Sequence, residues 1–337
     1  MRAAVYEKFG GPDVVQVVEV PQPVPGEGQV LIRVEASTVS IADYRTRSKD
    51  LPPGLAFFGP LSLGLFRPRR PILGMDLAGT IEQVGTGVTR FSPGDRVIAL
   101  PGSRFGAHAE YAVMHADGPI ALAPTNLPLD EAATIAIAPI NLPLEDAAAL
   151  VFGGVTMKKF FNLHSPAGQR VLVNGASGAC GTAAVQLAVA MGASSVTGVS
   201  SAANHALVES LGATEMIDYA TTDFTTLGRE WDVIVDCVGN AGYGRVASSV
   251  TAGGAVLLVV GSLASMLSAG RDSRRLGGVV AMMTKPSGAS DLEYLVELAE
   301  AGSFVPVIDR RYTLDEIVEA HRYVGTGRKR GALLVAI

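Results

Sequence analysis

Cysteine is nearly absent from this sequence: the 337 residues contain only Cys180 and Cys237. Two cysteines cannot build a disulfide framework, and no Cys-x-x-Cys metal pattern is present. The five histidines are dispersed, at positions 108, 115, 164, 205 and 321. A reducing, cytoplasmic setting and the absence of a bound metal are therefore the simplest expectations.

Basic tracts and long apolar runs are also missing. The formal net charge is −5, so nucleic acid and anionic membrane surfaces are not expected partners. No apolar run reaches the roughly 20 residues of a membrane-spanning helix, and the N-terminal MRAAVYEKFGGPDVV has no signal-peptide core. A composition of 48% hydrophobic and 18% charged residues is typical of a globular α/β protein, and the length allows two domains.

The most informative segment that is present runs from Val171 to Gly181 and reads VLVNGASGACG. A buried strand leads through spaced glycines into an apolar helix that continues to Met191. Glycines in this pattern allow a tight turn, close approach of a pyrophosphate and close packing of helix on strand. The helix N-terminus then favours the anion, so the segment predicts a dinucleotide site.

The predicted secondary structure differs before and after about residue 150. The first hundred residues read as short strands between Gly/Pro turns, which predicts a β-rich domain. The predicted strands are Ala3 to Tyr6, Val14 to Val20, Gln29 to Ser37, Leu77 to Val84 and Arg96 to Leu100. From Val171 onward, apolar strands alternate with helices, which predicts a parallel sheet covered on both faces.

A tandem duplication interrupts the chain between these parts. Residues 120–134, IALAPTNLPLDEAAT, are repeated with small changes as residues 135–149, IAIAPINLPLEDAAA. Two copies are too few for a solenoid. The segment is either a tolerated surface insertion or a remodelled hinge or dimer contact.

The order of parts resembles the medium-chain dehydrogenase/reductase superfamily, in its zinc-independent branch of quinone oxidoreductases and enoyl reductases. The markers are Val34–Arg47, Pro71–Gly79, Gly94–Val97, Ala109–Tyr111, Gly153–Thr156, Asn174–Gly181, Leu211–Ala213 and Asp236–Gly239. The resemblance implies an α/β protein with a doubly wound, Rossmann-type parallel sheet and a β-rich GroES-like catalytic domain. It places the catalytic domain at residues 1–142 and 288–337, and the dinucleotide-binding domain at residues 143–287.

The zinc ligands of the alcohol dehydrogenases in this superfamily have no counterparts here. Ser40-Ile-Ala-Asp43 stands where the first cysteine is expected, and Gly74-Met-Asp76 stands where those enzymes have Gly-His-Glu. Without a Lewis acid, activated acceptors are the expected substrates, namely quinones, enones and enoyl thioesters. The protein then orients donor and acceptor and stabilises a developing oxyanion.

The resemblance also implies a set of cofactor contacts. The turn Gly198-Val-Ser-Ser-Ala-Ala-Asn-His205 carries no acid that would repel a 2′-phosphate, so NADP(H) is the expected cofactor. The alternative interpretation is that the serines of this turn only cap the next helix, which is compatible with both cofactors. The expected contacts are Thr156, Asn174, Ala176, Ser177, Gly178, Ala179, Cys180, Gly181, Ser200, Ser201, Asn204, His205, Tyr219, Val238, Gly239, Asn240, Gly261 and Ser262.

The expected catalytic groups are Asp43, Tyr44 and Arg47, in a stretch that resembles the substrate side of family members. Tyr44 is either the proton donor, with water as the alternative, or a packed aromatic, because it is offset by one residue from the family tyrosine. Asp43 and Arg47 are expected to form an ion pair. Phe57, Phe58 and Phe66 are expected to wall a flat apolar substrate pocket.

The expected function is thus an NADPH-dependent reductase of a quinone or an α,β-unsaturated carbonyl compound. Two alternatives remain: a zinc-independent alcohol or aldehyde dehydrogenase, and a non-catalytic NADPH-binding protein of the same fold. The resemblance further implies a homodimer formed through the segment GVVAMM, residues 278–283.

Overall fold

The computed structural model describes residues 1–58, 63–124, 142–282 and 284–337, without the side chains of residues 57 and 58. The chain divides into two compact units. Unit 1 comprises Met1–Leu51, Phe57–Phe152 and Ser287–Ile337, and unit 2 comprises Pro52–Ala56 and Gly153–Pro286. The predicted domain boundary at 142/143 lies before helix Leu144–Phe161, whereas this division falls within that helix.

The strands follow one another along the chain from β1 to β15. They are β1 (Arg2–Tyr6), β2 (Val15–Glu19), β3 (Gln29–Thr38), β4 (Leu77–Val84), β5 (Arg96–Ala99), β6 (Tyr111–His115), β7 (Ile120–Leu122), β8 (Arg170–Asn174), β9 (Ser195–Ser200), β10 (Glu215–Asp218), β11 (Trp231–Asp236), β12 (Val250–Leu258), β13 (Val279–Ala281), β14 (Ile308–Thr313) and β15 (Ala332–Ala336).

The helices of the described residues are numbered in the same way. They are α1 (Ile41–Ser48), α2 (Leu144–Phe161), α3 (Ala179–Ala190), α4 (His205–Ser210), α5 (Tyr243–Val246), α6 (Leu263–Leu276), α7 (Ala289–Glu300) and α8 (Ile317–Val324).

Unit 1 is built around a seven-stranded sheet in the order β14-β15-β3-β4-β5-β7, with β6 also paired to β3. β1 and β2 form a separate antiparallel pair. Apolar side chains on one face of the strands pack together in one core, in which Ile32, Leu77 and Val97 have no exposed surface. Because β15 pairs with β3, strands from the early and the late parts of the chain share one sheet.

Unit 2 contains a six-stranded parallel sheet in the order β10-β9-β8-β11-β12-β13. This is the doubly wound order in which the direction of winding reverses between the first and fourth strands, here β8 and β11. Continuous apolar strands fill its interior, and Leu172, Ile234 and Val256 are fully buried. The predicted fold class is confirmed.

Two local predictions were less accurate. No helix was predicted for the stretch 43–47, which belongs to helix α1. Helix α6 had no counterpart in the sequence prediction; it begins where Ser262 accepts a hydrogen bond from the Ser265 N–H at 3.1 Å. Residues 125–141, which include most of the tandem duplication, lie outside the described residues.

Candidate dinucleotide and substrate sites

The glycine turn of unit 2 joins β8 to α3 as the sequence predicts. Gly175 has φ +81°, and a Cβ there would lie 2.8 Å from Val238 Cγ2. A Cβ on Gly181 would lie 2.1 Å from the Gly175 carbonyl oxygen. Any side chain at 181 would therefore force helix α3 away from the turn.

Helix α3 begins at this turn with no side-chain cap, since its N-cap residue is Gly178. A Cβ on Gly178 would meet nothing nearer than the Gly175 carbonyl oxygen at 3.7 Å. A twelve-residue helix that starts without a side-chain cap, and a turn with room for close approach, fit the phosphates of a dinucleotide. Of the expected contacts here, Asn174, Ala176 and Gly181 are buried, and Ser177, Gly178, Ala179 and Cys180 are partly exposed.

The turn after β9 brings the expected adenine-side residues together. The Asn204 amide donates to Ser177 Oγ and to Ser201 Oγ, each at 3.2 Å, so it ties this turn to the glycine turn. The Tyr219 N–H donates to the Ser200 carbonyl at 3.3 Å, which places the exposed Tyr219 beside the same turn.

Two further observations on this turn bear on the cofactor. His205 Nε2 is buried without a hydrogen-bond partner among the described residues, so it has capacity to bind a ligand atom. The alternative that the serines cap the next helix is wrong. Ser201 makes no side-chain cap bond, and the buried Ser200 donates its hydroxyl to the Ser201 carbonyl.

The turn after β11 carries Val238, Gly239 and Asn240. Gly239 has φ +96°, and the N–H groups of Val238 and Gly239 both donate to Asp236 Oδ1 at 3.0 Å. Sequence reasoning missed Asp236 as a site residue. The available signal was an acid that ends the apolar run WDVIVD directly before a glycine-containing turn.

The remaining expected cofactor residues have structural contacts of their own. Ser262 caps α6, and Gly261 is buried where a Cβ would lie 2.5 Å from Met282 Sδ. Thr156 lies in the part of α2 that belongs to unit 2.

In unit 1, Asp43 is fully buried and its carboxylate holds the start of helix α1. It accepts from the Ser40 N–H at 2.8 Å and the Ser40 hydroxyl at 2.5 Å. Its other oxygen accepts from the Gly74 N–H at 2.9 Å. The Asp43 carboxylate is thus saturated by a capping box and a neighbouring loop.

The expected ion pair between Asp43 and Arg47 is wrong. Arg47 is 1% exposed and donates from Nη1 to the Gly10 carbonyl at 2.5 Å, while its Nε has no partner among the described residues. Asp43 already has three donors of its own at the other end of the helix, so the guanidinium binds a backbone carbonyl instead.

Tyr44 packs on the surface of α1. Its hydroxyl lies 3.3 Å from Asp50 Oδ2, and the Arg47 guanidinium carbon lies 5.6 Å from its ring centroid. A Cβ on Gly325 would lie 3.1 Å from the ring. Because residue 44 is helical, the one-residue offset from the family tyrosine rotates the side chain by about 100° instead of moving it to the opposite face.

Three more titratable groups are buried in unit 1. Burial raises the pKa of Asp76 to about 7, although the Thr38 N–H and hydroxyl both donate to its carboxyl. Burial lowers the pKa of His321 well below its usual value, and His108 and Arg47 lower it further. The His108 and His321 rings are 6.0 Å apart, and His108 Nε2 lies 3.1 Å from the Thr38 carbonyl.

The expected pocket phenylalanines are only partly described. Phe66 is 82% exposed. Residues 57 and 58 end a short 3-10 turn, Leu55–Phe58, and their side chains lie outside the described residues.

Among residues 1–58, 63–124, 142–282 and 284–337, no group of three or more His, Cys, Asp or Glu side chains is arranged to hold a metal ion. No helix within those ranges is both long and apolar enough to cross a membrane.

Two family models match separate parts of the chain. Residues 26–124 match the alcohol dehydrogenase GroES-like domain, and residues 211–335 match a family described as zinc-binding dehydrogenase. These matches cover the sheet of unit 1 and the second half of unit 2.

Similarity to individual proteins extends over the full chain. The chain is 30% identical to the chloroplastic quinone-oxidoreductase QR1 of Triphysaria versicolor, over 99% of this chain and 98% of that protein. It is 30% identical to the 2-methylene-furan-3-one reductase of Solanum lycopersicum, over 99% of this chain and 79% of that protein.

A solved structure gives the same result. The quinone oxidoreductase of Coxiella burnetii matches with a TM-score of 0.83 and 27% identity, over 100% of this chain and 99% of that one. The fold, the glycine turn and these relatives together confirm the predicted resemblance. The chain belongs to the quinone oxidoreductase branch of the medium-chain dehydrogenase/reductase superfamily and is an oxidoreductase.

Proposed function

We propose that the chain is an NADPH-dependent reductase that acts, without a bound metal, on a quinone or an α,β-unsaturated carbonyl compound such as an enone or enoyl thioester. The proposal is carried by the start of α3, which follows the glycine turn and has no side-chain cap. This turn lies at the end of β8, one of the two strands, β8 and β11, between which the sheet reverses its winding. The names of the Triphysaria and tomato relatives support the class of acceptor. When bound, the reduced nicotinamide supplies a hydride to the acceptor.

The preference for NADPH rests on the turn after β9. Ser201, Asn204 and His205 offer hydroxyl, amide and imidazole groups, and His205 Nε2 lacks a partner among the described residues. Carboxylates that would bind ribose hydroxyls and repel a 2′-phosphate are absent from the sequence Gly198–His205.

We propose Tyr44 or water as the source of the proton. Asp43 and Arg47 then act as positioning residues, because they hold the start of α1 and its attachment to Gly10 instead of presenting free polar groups. Phe57, Phe58 and Phe66 are proposed as walls of the acceptor pocket, where flat apolar rings favour a conjugated substrate.

A homodimer is proposed through β13. In the described residues this strand pairs only with β12 and so ends the sheet of unit 2 with open backbone groups. A cytoplasmic location is proposed because neither Cys180 nor Cys237 forms a disulfide. Sedimentation velocity tests the first proposal, and cell fractionation tests the second.

The function is tested by mixing purified protein with NADPH or NADH and following absorbance at 340 nm. The acceptors are quinones, enones, enoyl thioesters and aldehydes, and zinc is assayed in the same sample. Turnover of quinones or enones supports the proposal. Turnover of aldehydes alone, or stoichiometric zinc, contradicts it, and tight NADPH binding without any turnover indicates a non-catalytic protein.

Cofactor choice is tested with Ser201→Asp. The new carboxylate repels a 2′-phosphate, so the ratio of kcat/KM for NADPH over NADH falls by about tenfold or more, equivalent to about 1.4 kcal/mol. Ser210→Asp is the matched control, since Ser210 is an exposed serine at the far end of α4. An unchanged ratio in Ser201→Asp rejects this turn as the phosphate site.

A further inference from the structure

Asp236 is a fully buried carboxylate at the carboxyl end of β11, and four donors surround it. Oδ1 accepts from the Val238 and Gly239 N–H groups at 3.0 Å and from the Asn174 side-chain amide at 2.9 Å. Oδ2 accepts from the Ala241 N–H at 2.8 Å. These four bonds, all from neutral groups, compensate the burial of the acid.

This carboxylate determines the direction of the hydrogen bonds around it. A carboxylate oxygen only accepts, so the group of Asn174 that faces Asp236 must be its NH2. The same NH2 also donates to Asn240 Oδ1 at 2.7 Å. The oxygen of the Asn240 amide therefore faces Asn174, which leaves the two N–H donors of Asn240 for another acceptor.

The location of this chain of bonds points to the ligand. Asp236 and Asn174 are register partners on β11 and β8, the two strands between which the sheet reverses its winding. Ligands of doubly wound sheets bind outside the carboxyl ends of these strands. Asn240 is exposed there, and Asn174 is followed directly by the glycine turn.

The charge at the site favours a neutral ligand group. The buried negative charge of Asp236 is separated from Asn240 by one amide only, which opposes a phosphate at Asn240. A group with a hydroxyl or carbonyl oxygen suits the Asn240 donors. In a dinucleotide whose phosphates lie at α3 and whose adenine half lies at the β9 turn, the remaining neutral part is the nicotinamide nucleoside.

We propose that Asp236 is a positioning residue that sets the hydrogen-bond direction of Asn174 and Asn240, so that the Asn240 amide donates to the nicotinamide nucleoside of a bound dinucleotide. This inference rests on the proposed dinucleotide-dependent function. It assigns Asp236 a role in binding without contact to the ligand.

The test compares two amide variants for their binding to NADPH and to 2′,5′-ADP, a fragment without nicotinamide, by calorimetry. Asn240→Ala is expected to weaken NADPH about tenfold and to leave 2′,5′-ADP within about twofold, since one ligand bond is lost. Asn204→Ala, the matched control at the other turn, is expected to weaken both ligands.

Asp236 itself is tested with Asp236→Leu, which has a similar volume but no acceptor to fix the direction of the Asn174 amide. It is expected to weaken NADPH about as much as Asn240→Ala, to leave 2′,5′-ADP unchanged, and to add nothing in the double variant with Asn240→Ala. A purely structural role predicts losses for both ligands and additive effects. Should Asp236→Leu fail to fold, Asn174→Ala breaks the same chain of bonds, and the same pattern is expected.

The outcomes separate this inference from the proposed function. Wild-type binding of NADPH together with unchanged NADPH affinity in Asn240→Ala overturns the inference and leaves the reductase proposal intact. A wild-type protein that binds no dinucleotide overturns both.

Discussion

Asp76 offers a sharp test of how burial controls the stability of unit 1. Its side chain is 1% exposed, and its oxygens accept from the Thr38 N–H at 2.8 Å and the Thr38 hydroxyl at 2.7 Å. Asp76→Asn preserves this geometry, because the amide oxygen still accepts from the N–H and the amide NH2 donates to the Thr38 hydroxyl oxygen. The variant removes only the capacity to ionise.

The magnitude follows from the pKa. Burial raises the pKa of Asp76 from 3.8 to about 7. Between about pH 4 and pH 7 the folded protein keeps a proton that the unfolded chain has released, so the free energy of unfolding falls as the pH rises. The full loss is about 4 kcal/mol, and about 3 kcal/mol of it falls between pH 5 and pH 8. Asp76→Asn is therefore more stable than wild type at pH 8, with a smaller advantage at pH 5.

Hydrogen exchange of peptides that cover β3 measures the opening of this sheet at both pH values. The single tryptophan, Trp231, lies in unit 2, so its fluorescence reports separately on that unit and is expected not to differ between the two proteins. Asp117→Asn, at an exposed carboxyl of unit 1, controls for the loss of one charge. An equal difference between Asp76→Asn and wild type at pH 5 and pH 8, or a less stable variant at pH 8, would refute the reasoning.

Three further predictions concern single side chains. Burial of His321 lowers its pKa, so its contribution to the free energy of unfolding falls as the pH drops through about 6.5, opposite in sign to the contribution of Asp76; the melting temperature of His321→Phe relative to wild type should therefore rise from pH 7.5 to pH 5.5, and parallel curves contradict this. Gly181→Ala should destabilise unit 2 by about 1–3 kcal/mol in urea unfolding followed by Trp231 fluorescence, whereas Gly178→Ala, where a Cβ meets no close atom, should not; equal losses contradict the packing argument. Tyr44→Phe should keep kcat within about threefold, since the hydroxyl already contacts Asp50; a loss of about a hundredfold would make Tyr44 the general acid.

Strands with strong patterns were predictable from the sequence. The bounds of β4, Leu77–Val84, match the prediction to the residue, because the glycine turn Gly85-Thr-Gly87 follows the strand directly. The glycine turn was also predictable from the sequence. Glycine is favoured at residue 175 by its positive φ and at residue 181 by the close contact with the Gly175 carbonyl oxygen. Both signals are local, and no distant contact has to be known to interpret them.

Helix α1 shows where the local reading failed. No helix was predicted after the strand Gln29 to Ser37, but Ser40 and Asp43 form a capping box that starts one. The spacing Ser-x-x-Asp was the available signal. Its omission also produced the wrong ion pair, because a carboxylate used in the cap is no longer available to Arg47.

Contacts between distant parts of the chain could not be predicted at all. The pairing of His108 with His321 depends on where α8 packs, and the bond between Asn174 and Asp236 depends on the register of β8 against β11. These tertiary contacts perturb the titration of His321 and set the hydrogen-bond direction at the Asp236 turn. Sequence alone indicated the class of site, whereas the direction of its hydrogen bonds required the fold.

The sheet of unit 1 also imposes an order on biosynthesis. Strand β3 pairs with β4 along one edge and with β6 and β15 along the other, so the part of that edge at Ala36–Thr38 stays open until β15 leaves the ribosome. Apart from residues 52–56, unit 2 is continuous and is complete some fifty residues earlier, since it ends at Pro286 of 337 residues. The nucleotide-binding half can therefore mature first, while the other half depends on the arrival of the C-terminus and is exposed to premature association until then.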